Sequence, residues 1–385
     1  MIIFENPYVS DELATHIAAT QTPVLANKFS HNMAQRFNLN LLSDTDFISG
    51  INKGNRLLTV SENALEWIYQ NVSNTSMLDG IRLMKDKHAL RNALKPLYPD
   101  YFFLQVPAAE LAQLDISTLS MPFILKPSVG FYSMGVYTIA TEQDWKHALS
   151  EIKLNMEKWT ATYPSSVLGE NNFLLEAFIR GDEYAVDVYF NENGKPVILN
   201  LMKHDFASDK DVSDRLYYTS KEIIEQNLEP FTKFFEEMNQ IVNVRNFPAH
   251  IELRITKEGR IIPIECNPMR FSGWGTTDLA DFALGIKTYD YYLNNRAPDW
   301  ESILRGKDGQ LFSFIILDKP PVAAGKETTF DYQKLSADFT KVLHLRRMEK
   351  AQYPMFGFVF AQTPANDRSE LDRIMQSDLT EYIIN

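Results

Sequence analysis

Glu252, Glu265 and Asn267 are the residues whose types and spacing most readily do chemistry in this chain. The runs 249–256 and 260–266 read as two strands, and Lys257-Glu258-Gly259 between them is a turn signal, so a β-hairpin is expected. Side chains two apart on a strand share a face. Glu265 and Asn267 therefore point the same way, and the hairpin can bring Glu252 beside them. Two carboxylates and an amide oxygen are hard donors suited to Mg²⁺ shared with phosphates, whereas two buried carboxylates without a cation would repel each other. The bland alternative is a pair of solvated strand carboxylates matched with Arg254 and Arg260.

A second stretch runs from Lys126 to Val136 and contains Ser128, Gly130, Ser133 and Gly135. A lysine ends a buried strand, a short loop with two glycines follows, and a strand resumes. Glycines let backbone N–H groups approach phosphates, and the lysine adds a point charge. A β-hairpin with a loose turn is the competing reading. Other standard sites are absent. There is no HExxH, no metal-spaced cysteine set and no Gly-x-Ser-x-Gly. Gly130 and Gly135 have P-loop spacing, but Val136-Tyr137 stands where Lys-Ser/Thr is required. Gly273-Trp274-Gly275 lacks the third glycine of a dinucleotide fingerprint, because Asp278 occupies that place. Cys266 lies between two site residues, so it faces the other way and reads as core. His250 shares the face of Glu252 and His204 follows Lys203; both stay unassigned.

The elements around these residues are legible in outline. Residues 1–80 form a short α/β unit: a helix at 11–19 behind Ser10, a buried strand at 57–60, and Ser61 capping a helix with Glu62 and Asn63 in its first turn. One helix is expected at about 84–95. A strand–loop–strand–helix–strand unit follows, with strands at 123–126, 136–139 and 173–178 and a helix at 142–158. A hairpin turns at Asn191-Glu192-Asn193-Gly194, a polar loop covers 207–220, and a long helix spans 221–242. Helices fill 277–294. Strands at 311–317, 342–345 and 356–361 and a helix near 366–377 complete the chain.

At 385 residues, 45% hydrophobic and 23% charged, the composition is that of an ordinary globular protein of two or three modules. A net charge of −12 with no Lys/Arg cluster argues against nucleic-acid binding. No apolar run is long enough to span a bilayer, and Met1 to Pro7 lacks the basic start of a secretory signal. Cys266 is the only cysteine, so no intramolecular disulfide forms, and a cytoplasmic location is expected.

Four motifs stand in order: Lys126-Pro-x-x-Gly-x-x-Ser-x-Gly-Val; Glu176-Ala-Phe-Ile-Arg-Gly-Asp-Glu183; Glu252-Leu-Arg254; and Glu265-Cys-Asn267-Pro-Met-Arg270. Together, across about 80–295, they resemble the ATP-grasp superfamily, and most of all its carboxylate–amine ligases. The resemblance implies an α+β fold of two subdomains sandwiching ATP. The short α/β unit of 1–80 would precede a core of 81–300 with its lid at about 100–178, and a β-rich module would follow at 306–385. It implies Lys87 and Lys126 as phosphate ligands, Ser128 to Gly135 as the loop over the β- and γ-phosphates, and Glu176, Ala177, Phe178 and Ile179 as the adenine hinge. Glu183 is implied on the ribose, and Glu252, Glu265 and Asn267 on Mg²⁺, with Mn²⁺ as an alternative. Arg270 is implied as the cation at the transferring phosphoryl group, accompanied by Arg254 and Lys203. The implied reaction joins a small-molecule carboxylate to an amine at the expense of ATP. A kinase and a nucleotide-binding module without turnover are the alternatives, the second disfavoured by the intact Glu252, Glu265, Asn267 and Arg270. A homodimer is left open. One departure stands out, because the first 80 residues lack the Gly-rich loop of many such ligases.

Overall fold

A computed structural model describes residues 1–129, 135–162, 172–207, 213–348 and 350–384, with the side chains of 156–162 excluded. The chain divides into two compact units. The first comprises Met1–Gly181, Phe190–Lys195 and Phe234–Arg270, and the second Asp182–Tyr189, Pro196–Lys233 and Phe271–Asn385.

The first unit opens with a parallel sheet ordered Asn40–Leu42, Pro23–Leu25, Ile2–Ile3, Leu58–Thr59. Ser10 caps the helix Asp11–Thr20 by accepting from the Leu13 N–H. Ser61 caps a 3₁₀ turn, Glu62–Ala64, which runs into the helix Leu65–Asn71. The single helix expected at 84–95 is two, Thr75–Lys85 and Lys87–Ala93. Asp86 breaks it: its extended backbone ends the first helix, and its carboxylate accepts from the His88 and Ala89 N–H groups to start the second. Lys85 and Lys87 thereby sit on either side of a corner.

An antiparallel sheet ordered Phe103–Pro107, Asn172–Ala177, Phe123–Pro127, Tyr137–Ile139 follows. Its apolar face (Phe123, Leu125, Ile139, Phe173 and Leu175) packs on Trp145, Ala148 and Ile152 of the helix Glu142–Thr162. Alternation on Phe123–Pro127 leaves Ile124 and Lys126 to the other face. The hairpin Phe247–Ile255 with Ile261–Pro268 completes the unit.

In the second unit, six strands lie in the order Asp182–Phe190, Pro196–Asp205, Leu216–Thr219, Gln310–Asp318, Met355–Pro364, Val342–Arg347. One face packs Leu216, Ile315, Leu317, Val359 and Ala361 against Leu335 of Tyr332–Ala337 and against Leu371 and Ile374 of Ser369–Gln376. Among the described residues, no helix is long and apolar enough to cross a membrane.

Candidate active site

The hairpin register pairs Glu252 with Glu265 and His250 with Asn267, so these four side chains share a face. The register slips between Glu252 and Leu253: Leu253 pairs with Pro263, and Ile264 is passed over. Pro263 has no N–H to give, and a bulge on an outer strand is where sheets accept proline. The Ile264 carbonyl, outside the pairing, accepts from Lys126 Nζ at 3.3 Å. Cys266 is buried, and burial pushes its thiol up to about 12.

Lys87 Nζ donates to Glu265 Oε1 at 2.9 Å, and its backbone N–H donates to the Ser128 carbonyl. Burial alone would raise the Glu265 carboxyl, but Lys87 and then Lys85 hold it below its ordinary value. His250 Nε2 lies 3.5 Å from Glu252 Oε1. Asn267 Oδ1 is buried with no hydrogen-bond donor, a condition that costs ~1–3 kcal/mol when left unmet. An orphaned amide oxygen on the face of two carboxyl groups fits a hard divalent cation.

Lys126 Nζ is 2.5 Å from Glu176 Oε1, and Arg91 Nε donates to Glu176 Oε2 at 2.8 Å. All three side chains are buried. Burial works to raise the Glu176 carboxyl, yet Arg91 and Lys126 overcome it and hold it at about 2. The Ser128 hydroxyl accepts from Gln105 Nε2 at 3.0 Å, and its N–H donates to the Asn172 carbonyl at 2.8 Å. Gly135 takes a left-handed φ of 70° where the strand resumes, while Gly130 and Ser133 lie outside the described residues.

Residues 119–278 match the family model described as an ATP-grasp domain. The chain has the ATP-grasp fold. Its fold is also that of an L-amino acid ligase from Bacillus licheniformis, with a TM-score of 0.67 at 15% identity over 100% of this chain and 97% of that one. It likewise resembles a biotin carboxylase from Campylobacter jejuni, with a TM-score of 0.61 at 13% identity over 100% and 91%. The third is N5-carboxyaminoimidazole ribonucleotide synthetase from Thermotoga maritima, with a TM-score of 0.59 at 15% identity over 99% and 97%. At these identities the likeness is one of fold. No curated protein sequence matches the chain.

The backbone at Ala177, expected as part of the adenine hinge, is engaged by Phe102 and Tyr101. The Ala177 N–H donates to the Phe102 carbonyl at 3.0 Å, and the Ala177 carbonyl accepts from the Tyr101 hydroxyl at 3.0 Å. Arg254 donates from Nη1 to the Ile179 carbonyl at 2.7 Å and lies 5.6 Å from the Phe178 ring centre. In the second unit, Glu183 Oε1 lies 2.9 Å from His204 Nδ1, and His204 stacks on Tyr217. Lys203 pairs with Asp182 at 3.0 Å.

Sequence reasoning missed Glu62, Lys85, Arg91 and Asp187 as parts of these networks. Glu62 is buried and grips Arg270 Nη2 at 2.9 Å and Nε at 3.3 Å, with Lys85 also on its carboxylate. Its place just past the carboxyl end of the parallel strand Leu58–Thr59 was the available signal, since that end is where open α/β sheets build sites. Asp187 has no such signal. Fully buried, it accepts from the Ser272 N–H at 2.8 Å, the Ser272 hydroxyl at 2.9 Å and the Thr277 hydroxyl at 2.7 Å, fixing the segment after Arg270.

That segment contains Trp274 at φ 53° and Gly275 at φ 75°. A Cβ on Gly275 would lie 2.3 Å from Arg346 Nη1 and 3.0 Å from Asp278 Oδ2, two groups joined in a buried ion pair at 2.8 Å. Gly275→Ala is therefore expected to lose about 1–3 kcal/mol of stability through backbone strain and the displaced pair. A urea titration measures this, and an unshifted midpoint would show that the corner is not held as described.

Proposed function

We propose that the chain is an ATP-dependent ligase that activates a carboxylate as an acyl phosphate and joins it to an amine, releasing ADP and phosphate. The observation that carries this reading is the hairpin face on which Glu252 and Glu265 stand with the orphaned Asn267 Oδ1, with Lys87 on Glu265. The ATP-grasp fold supports it, as do the ligase and the synthetase that share the fold.

In the proposed reaction, a carboxylate oxygen attacks the γ-phosphorus of ATP, the bond to the β-phosphate oxygen breaks, and ADP leaves. The amine nitrogen then attacks the acyl carbon, the carbon–oxygen bond to phosphate breaks, and the nitrogen loses a proton. Glu252, Glu265 and Asn267 would hold Mg²⁺, which when bound supplies charge neutralisation to the phosphates. Lys87 and Lys126 position the phosphates as point charges, with Ser128 and Gly135 framing the loop. Lys87 exchanges its Glu265 partner for phosphate oxygens. Arg270 faces the transferring group, where a planar fork grips oxygens in two places. Stabilising charge that develops during transfer is the main effect asked of these residues, and no enzyme nucleophile is needed. Glu183 is assigned to the ribose and Glu176 to Ile179 to the adenine.

Hydroxylamine separates this reading from a kinase. A mixed anhydride yields a hydroxamate and a phosphate ester does not. Across a panel of amino acids and small carboxylates, ADP release dependent on Mg²⁺ is expected to be accompanied by hydroxamate. Arg270→Ala is expected to bind ATP normally while making at least tenfold less hydroxamate. A stable phosphorylated product with no hydroxamate from any stimulating acid would replace the ligase with a kinase.

A further inference from the structure

Arg270 ends the first unit, and the contacts that fix it come from the short N-terminal segment. Met269, just before it, is buried and adopts a left-handed φ of 64°, which a branched or bulky side chain seldom takes unless its surroundings impose it. Its N–H donates to the Pro248 carbonyl at 2.8 Å. Its carbonyl accepts twice from Thr59, from the N–H at 2.8 Å and from the hydroxyl at 3.2 Å. Three residues after Thr59, the buried Glu62 carboxylate takes Arg270 Nη2 at 2.9 Å and Nε at 3.3 Å. Lys85 closes the other side of that carboxylate. One stretch of chain thus fixes both the backbone and the guanidinium of Arg270.

We infer that Thr59 and Glu62 are positioning residues for Arg270, so that the short N-terminal unit is part of the phosphoryl-transfer machinery. This rests on the role proposed above for Arg270. Glu62 carries the larger share, because a guanidinium held along one edge by a buried carboxylate keeps its remaining donors aimed in one direction. The carboxyl is ionised at every pH of interest: burial opposes this, but Lys85 and Arg270 hold it at about 2. Thr59 sets the left-handed turn from which the side chain departs. Neither residue is placed on the nucleotide, so neither should alter ground-state binding of Mg–ATP.

MgADP with aluminium fluoride probes the geometry of the transferring group without any acid substrate. Wild-type protein is expected to retain ADP in this form through gel filtration. Glu62→Gln is expected to bind Mg–ATP within twofold of wild type, which also reports that it folds, yet to retain the trapped ADP at least tenfold less. Glu62→Asp should recover part of that loss, because the charge is restored at a shorter reach. Thr59→Val should show a smaller loss, since the backbone N–H contact survives. Arg270→Ala should match Glu62→Gln, and the double variant should be no worse than either alone. If Glu62→Gln holds trapped ADP as well as wild type while Arg270→Ala does not, the positioning role is overturned and the role of Arg270 stands. Retention in Arg270→Ala equal to wild type would overturn the transfer role itself. So would a wild type that binds MgADP but traps none, and the inference would fall with it.

Discussion

Glu265→Gln is expected to lower ADP release by two orders of magnitude or more while leaving the fold intact. The carboxylate pairs across the hairpin with Glu252 and accepts from Lys87 at 2.9 Å. The amide keeps the shape and can still accept from Lys87, which keeps Glu62 and Glu252 as neighbouring negative charges, so thermal unfolding should shift less than where buried cations lose their counter-charge altogether. What it removes, on the proposed function, is one of the two negative charges that would face the divalent cation. Loss of several kcal/mol of charge stabilisation corresponds to roughly a hundredfold to a thousandfold in rate. The measurement is ADP release with an acid that stimulates the wild type, repeated across a Mg²⁺ titration. The variant should require more metal and still not recover the wild-type rate. If Glu265→Gln and Glu252→Gln both turn over at near-normal rates, the cation site is not on this face.

The second large effect concerns stability. Glu176 is clamped between Arg91 and Lys126, and none of the three side chains exceeds 5% exposure. Glu176→Gln leaves two buried cations without their counter-charge, which costs on the order of 3–5 kcal/mol. The same clamp sets an acid dependence. The folded carboxyl titrates at about 2 against an ordinary value of 4.5. Because the folded value is the lower one, the contribution is complete above about pH 4.5 and is lost as pH falls towards 2. Urea midpoints measured between pH 2 and 5 should fall steeply in the wild type. In Glu176→Gln they should start lower and fall less steeply. Glu62 titrates in the same window, so some slope remains. A variant parallel to the wild type over this range would show that Glu176 is not the linked group.

What the sequence made legible follows from what is local. The hairpin, its turn and the shared face of Glu265 and Asn267 come from alternation over a few residues, and the register bears them out. The burial of Cys266 came from the same alternation. The bulge at Ile264 was not legible, because passing over one residue leaves no mark in the hydrophobic pattern and is decided by the opposite strand. The break at Asp86 was readable in principle, since an aspartate can cap a following helix and the apolar spacing lapses between Met84 and Ala89. The grip of Glu62 on Arg270 joins residues 208 apart, and only the folded chain brings them together. Arg254 was read with the reacting groups because it adjoins Glu252, whereas its side chain reaches back to Ile179.

The alternation of the chain between its two units has a consequence for anyone who would cut it. The polypeptide passes from one unit to the other after Gly181, Tyr189, Lys195, Lys233 and Arg270. A single break in the gene therefore cannot yield either unit by itself. A fragment ending anywhere between 182 and 233 lacks Phe234–Arg270 of unit one, and with it the hairpin that bears Glu252 and Glu265. A fragment ending at 270 carries all of unit one together with a portion of unit two that lacks its last three sheet strands. Such pieces are not independent modules, because neither consists of one unit alone.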